Sequence, residues 1–190
     1  MTTSIKMASN ALILLGEEAI QSLTDDVAAS NLYDATYEGL LALDPWTFAT
    51  KEADLSRNTS APDDKTGYQY SFNLPSDLLR IWQMMPHCDY RVVGNEVQSN
   101  ESSLRLRYIY RVDESNLPPH FIKLVEYKLA SEFAISVSED ENRAALFENK
   151  YKTQLNQART IDAQGQPNRP IADAPFINPY HSEVYENRFK

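Results

Sequence analysis

The chain has 190 residues, enough for one domain of ordinary size with a sizeable interior. Its 27 acidic and 18 basic side chains leave a net charge of −9 and a pI near 4.8. That balance argues against a nucleic-acid binder that works by neutralising phosphates. No apolar run approaches the ~18 residues that would span a bilayer, and the start MTTSIKMASN lacks a signal-peptide core. The single cysteine, Cys88, cannot form an internal disulfide, so the expectation is a soluble, unexported protein of a reducing compartment.

Ile5, Ala8, Leu12 and Leu15 recur at spacings of three and four, which predicts an amphipathic helix over 4–15 that Gly16 ends. Thr24, Asp25 or Asp26 can cap a second helix, on which Ala29, Leu32, Tyr33, Tyr37, Leu40 and Leu41 form a stripe. Asp44-Pro45 closes it, because a residue before proline avoids the α region. From the other end of the chain, Pro118-Pro119 opens a run in which Phe121, Leu124, Val125, Leu129, Phe133 and Ile135 lie near helical spacing. SEDE, residues 138–141, then places acids at the start of a last helix carrying Ala144, Phe147, Tyr151, Leu155 and Ala158. Four one-sided helices predict an antiparallel four-helix bundle over 1–45 and 117–164.

The middle, 46–116, reads as an inserted antiparallel β domain in an α+β chain. SRNTSAPDDKTG is too polar for a core and is expected to be the exposed loop of a hairpin. YSFNLPSDLLRIWQMM can be read as a capped helix start, with Asn73 or Ser76 as cap, or as strand, turn and strand. The alternation of Tyr68, Tyr70 and Phe72, and the strands beyond it, favour the second reading. YRVV and EVQS flank Gly94-Asn95, a two-residue hairpin signal. In LRLRYIYRV, Leu104, Leu106, Tyr108 and Tyr110 alternate with Arg105, Arg107, Ile109 and Arg111. Residues 165–190 hold four of the ten prolines and predict an extended arm, which Phe176, Ile177, Tyr180, Tyr185 and Phe189 make too apolar for a plain solvated tail.

Chemistry is sparse. His87, Cys88 and Asp89 are neighbours, and on a strand neighbours face opposite ways, so they would not converge on a metal or substrate. No phosphate-cradling glycine motif occurs. The pairs Glu17-Glu18 and Asp25-Asp26 fall at helix ends, where capping accounts for them. No catalytic, cofactor or metal site is therefore expected. Arg105, Arg107 and Arg111 are either the solvated face of a strand or an arginine-rich protein interface. Together with Phe176, Ile177, Tyr180, Tyr185 and Phe189 they are the candidate interface residues.

In their order along the chain, LGEEAIQSL, LDPWTFATKEADL, YSFNLPSDLLRI, LRYIYRV and LPPHFIKLVEYKLASEFA resemble the tail tubular protein A family, over about residues 8–160. These are head-to-tail adaptors of short-tailed double-stranded DNA phages. The resemblance implies a helical bundle with an inserted β domain and a ring, twelve-membered, between the portal protein and a tail nozzle protein of the tail tubular protein B type. It implies a virion protein made in the host cytoplasm, a channel through which DNA is ejected without sequence-specific binding, no membrane contact and no cofactor. The arm after Ile161 matches the pattern less clearly. A head-completion or neck protein of a long-tailed phage is the alternative, and a cell-wall hydrolase acting during entry, which would need a carboxylate pair in a cleft, is a further one.

Overall fold

The computed structural model describes residues 3–60, 62, 67–137 and 139–165. The helices form where their start and stop signals predict. Helix α1, Ser4–Leu14, is capped by Thr3, whose hydroxyl accepts the Lys6 N–H, and the chain turns away at Gly16, φ +83°. Of the three candidate caps for α2, Val27–Leu43, Asp26 takes the position and accepts the Ala29 N–H at 2.8 Å. Asp25 instead accepts from Gln21 and Ser22 in the short turn before it. Helix α3, Pro119–Ser136, begins on the proline pair. Asp140 starts α4, Glu141–Gln164, by accepting the Asn142 and Arg143 N–H groups.

The helices do not close into a four-helix bundle, so that expectation is corrected. In a bundle each helix has two flanking neighbours around a shared axis. Here α1, α2 and α4 all pack on α3, α1 and α2 touch each other little, and the free side of α2 meets the sheet at β3 and β6. The cause lies in α3, which is not one-sided. Phe121, Leu124, Val125, Glu126, Leu129, Ala130, Ser131, Phe133 and Ala134 are buried and surround most of its circumference. A helix apolar nearly all round must be covered nearly all round. By contrast α4 buries only Ala144, Phe147 and Ala158 and lies as an outer layer along α3.

Among the described residues the β region holds six strands in two antiparallel sheets. One has the order β1 (Thr50–Asp54), β6 (Arg105–Tyr110), β3 (Leu78–Met85); the other is β2 (Tyr70–Asn73), β5 (Glu96–Ser99), β4 (Tyr90–Val93). The 70–85 stretch is strand, turn and strand, as read, but its two strands belong to different sheets. The polar stretch after β1 leads from one sheet to the other and turns as a hairpin: Arg57 bridges Phe72 antiparallel, Asn58 N–H donates to the Ser71 carbonyl at 2.8 Å and Asn73 N–H to that of Ser56 at 3.1 Å. The predicted hairpin at Gly94-Asn95 does form, with Val93 paired to Glu96 and Gly94 at φ +60°. Glycine first in a two-residue loop fits a type II′ turn.

Two cores result. The larger lies among the helices and takes in Trp46, Ala49, Ile109 and Val112 from the β side. The smaller, between the sheets, is built on Phe72, Met84, Val97, Leu104, Leu106 and Tyr108. Tyr110 packs against both. The arm, with Phe176, Ile177, Tyr180, Tyr185 and Phe189, lies outside the described residues.

Candidate functional site

Strand β6 places Arg105 and Arg107 on one face, two residues apart, and β1 puts an acid directly opposite each: Asp54 faces Arg105 and Glu52 faces Arg107. The Arg105 guanidinium donates through Nε to Asp54 Oδ1 at 2.7 Å and through Nη2 to Oδ2 at 3.4 Å, a forked pair. Arg107 donates through Nε and Nη2 to one oxygen of Glu52, the Nε contact at 2.8 Å. The same face of β6 carries Ile109, fully buried against the helices. The charged ladder thus begins where the helical cover stops.

Arg111, just past β6, turns toward α2. Its guanidinium reaches Asp34 at 2.7 Å, Glu38 at 3.0 Å and Glu114 at 3.5 Å, and lies 5.5 Å from the Tyr37 ring centre. The structure brings Arg105 and Arg107 together and sets Arg111 apart in an acidic nest of its own. All three guanidiniums are paired, and all stay partly exposed, at 54, 34 and 39 % of the side chain. Guanidinium N–H groups left over can still meet a partner's carboxylates.

Ionisation follows this pairing. The hydrogen bond from Arg105 and its charge hold Asp54 below the usual carboxylate range. Asp77 is lowered by the hydrogen bond from Lys51, at 2.9 Å, and by one from Tyr108. Burial, then the hydrogen bond to Asp77, pushes the Tyr108 phenol up to about 12. Burial opposes the Arg111 charge, yet Glu114, Asp34 and Glu38 together raise its pKa. Tyr33 and Tyr37 are also raised, burial first and Glu114 second.

The sequence reading missed the acids that complete the ladder. The signal was present in TKEAD, where Glu52 and Asp54 alternate in step with Arg105 and Arg107. It also missed Arg80, whose guanidinium donates to the Ala42 and Leu43 carbonyls and so closes the C-terminal end of α2. An aromatic joint links the distant motifs: the Phe121 ring lies 5.2 Å from Trp46, 5.0 Å from Phe48 and 6.4 Å from Tyr37, in edge contacts.

His87, Cys88 and Asp89 fall in the loop between β3 and β4 rather than on a strand, and Cys88 Sγ lies 3.5 Å from Ser99 Oγ. Among the described residues no group of three or more His, Cys, Asp or Glu side chains could hold a metal ion. Two of the shallow grooves among the described residues include charged side chains. One, of about 350 Å³, runs along α4 past Tyr127, Leu146, Lys150 and Gln154. The other, of about 500 Å³, lies between the start of α2 and the end of α3 and includes Asp25 and Asp26. Both of those carboxylates are engaged in helix-start hydrogen bonds. No described helix is long and apolar enough to cross a membrane. No protein-family model matches the chain, and no curated protein matches it.

Proposed function

We propose that the chain is a ring-forming structural protein of the virion, the head-to-tail adaptor between portal and tail nozzle of a short-tailed double-stranded DNA phage. The carrying observation is the joint between motifs on which the resemblance rests. Trp46 and Phe48 of the LDPWTFATKEADL segment and Phe121 of the LPPHF helix start, more than 70 residues apart, meet edge to face in one cluster. Residues that a resemblance picks out by order alone have here a shared physical task, which is to fix the β region on the helices. The four-helix bundle is not part of the proposal, and neither is a catalytic role.

Two further features support it. Nine net negative charges per copy, repeated around a ring, give a channel that repels phosphates, so DNA passes without being held. The exposed, paired arginines of β6 and the polar outer side of α4 offer charged and amide groups to neighbouring proteins rather than to a small molecule. In this reading the partners are further copies of the chain, twelve to a ring, the portal and the nozzle. No cofactor takes part.

The test is a particle assembled without this protein. It should contain packaged heads with a portal, lack the nozzle and lose its DNA, and supplying the chain should restore tailed particles. Complete, infectious tails on particles that lack the chain would overturn the proposal.

A further inference from the structure

Charge is distributed unevenly over the helices. Between Lys6 and Lys51 the chain has seven acids and no lysine or arginine. Three of these acids are held by bases of the same chain, Asp34 and Glu38 by Arg111 and Asp44 by Arg159. Asp25 and Asp26 line the groove at the start of α2 together with Val27, Leu32 and Val137, and no basic side chain lines it. Asp25 accepts its two N–H groups through Oδ2 and Asp26 its one through Oδ1, so each keeps a charged oxygen for another donor. Val27 stands beside them 77 % exposed, more than any other large apolar side chain among the described residues.

The groove along α4 has the opposite character. Residues 149–161 contain Lys150, Lys152 and Arg159 and no acid. Lys152 reaches Glu148 and Arg159 reaches Asp44, whereas Lys150 has no carboxylate partner among the described residues. Its Nζ lies 4.6 Å from the Phe147 ring centre and 6.0 Å from that of Tyr127. Tyr127 lines the groove with Leu146, which is 51 % exposed, and Thr153, Gln154 and Gln157 add hydroxyl and amide groups. No acidic side chain lines it.

The two grooves lie on different sides of the helical layer. Tyr127 lines one and Ser136 the other, nine residues further along α3. Nine residues are about 2.5 turns and roughly 14 Å of rise, and the half turn left over sets the two on opposite sides of the helix. The grooves therefore do not meet within one copy. Two copies can join them, each using a different surface, and such a heterologous contact is the kind that builds a ring.

We infer that the start of α2 in one copy docks in the α4 groove of the next, with Val27 on Leu146 and Tyr127, and Lys150 against the carboxylates of Asp25 and Asp26. Opposite charges meet where each surface lacks a counterpart of its own, and exposed apolar area is covered on both sides. The inference rests on the ring of the adaptor reading and names the surfaces that join its copies. A single contact of this size is weak, so copies stay apart until a portal holds them at high effective concentration.

Disulfide trapping tests the contact without a portal, because oxidation captures brief encounters in a concentrated solution. In a Cys88→Ser background, a chain with Val27→Cys and a chain with Leu146→Cys are mixed and oxidised. The mixed disulfide should exceed either symmetric one at least about tenfold; a statistical mixture would overturn the inference. A chain carrying both substitutions should give a ladder of covalent multimers, and a dimer that consumes all four cysteines would contradict the head-to-tail geometry. On portal rings, Lys150→Glu and Val27→Lys should each weaken loading of the chain at least about fivefold, and the double variant should recover it, which separates the contact from a folding defect. Single variants that load as the unaltered chain does would overturn the contact and leave the adaptor reading standing. A chain that traps as expected yet adds nothing to portal rings would keep the contact and sink the adaptor reading.

Discussion

The helical core and the β core are closed by different means. Around α3 the apolar groups meet one another: Phe121, Leu124, Phe133, Trp46 and Tyr37 are buried to within a few per cent, and Trp46 Nε1 and Tyr37 Oη donate to the Leu40 and Val112 carbonyls. The core between the sheets is smaller, ringed by ion pairs and left with the open edge of β4. A helix covered on every side specifies its neighbours without help. Two small sheets can hold their register but still present surface for further contacts.

This difference can be broken from the strong side first. Phe121→Ala should cost about 3–5 kcal/mol, because the ring joins three others and its cavity cannot collapse. Denaturant unfolding followed by circular dichroism should show the whole chain losing stability together. Leu106→Ala, in the smaller core, should cost about 2–5 kcal/mol. Its hydrogen-exchange protection should fall first in β2, β5 and β4, while α3 stays protected; equal loss in α3 would show that the two cores are one cooperative unit.

Alkali probes both cores. Tyr33, Tyr37 and Tyr108 have folded pKa values above the ordinary 10.0. A raised value means that the folded chain keeps a proton which the unfolded chain gives up. Their stabilisation is thus full below pH 10 and is lost as pH rises, for Tyr108 over the window from 10.0 to about 12. Tyr37→Phe should remove part of that alkaline loss in a pH series of unfolding curves. Acid acts with the opposite sign, since Asp54 and Asp77 are depressed, and their contribution is present above the ordinary value of 3.8 and fades as pH falls through the folded one. The smallest effect belongs to the ladder: Arg107→Ala should cost about 0.2–1 kcal/mol, and less in high salt.

Local signals in the sequence located the elements well. Prolines, caps and glycines act on the chain beside them, so the ends of α1, the break at Asp44-Pro45, the start of α3 and the Gly94-Asn95 hairpin could all be read. What joins one element to another was harder to read. Leu124, Val125, Leu129 and Phe133 trace a stripe, but Ala130, Ala134 and Ser131 are small and give little pattern signal. Their burial makes α3 central and rules out a bundle. The assignment of β2 and β3 to different sheets depends on pairings with β5 and β6 far along the chain, which alternation within one strand cannot specify. For the candidate interface, Arg105 and Arg107 were legible as a face. Glu52 and Asp54 were legible as an alternating acidic pair, but not as the partners of these arginines, because a cross-strand pair has no fixed spacing in sequence.

The central claim is assembly on a portal, and the most direct measurement is the native mass of the purified chain with and without portal rings. The chain alone should run as one copy of 21.7 kDa, and with portal the complex should gain an integral set of copies, twelve in the proposed ring. A chain that leaves the mass of the portal unchanged at every concentration would contradict the adaptor reading.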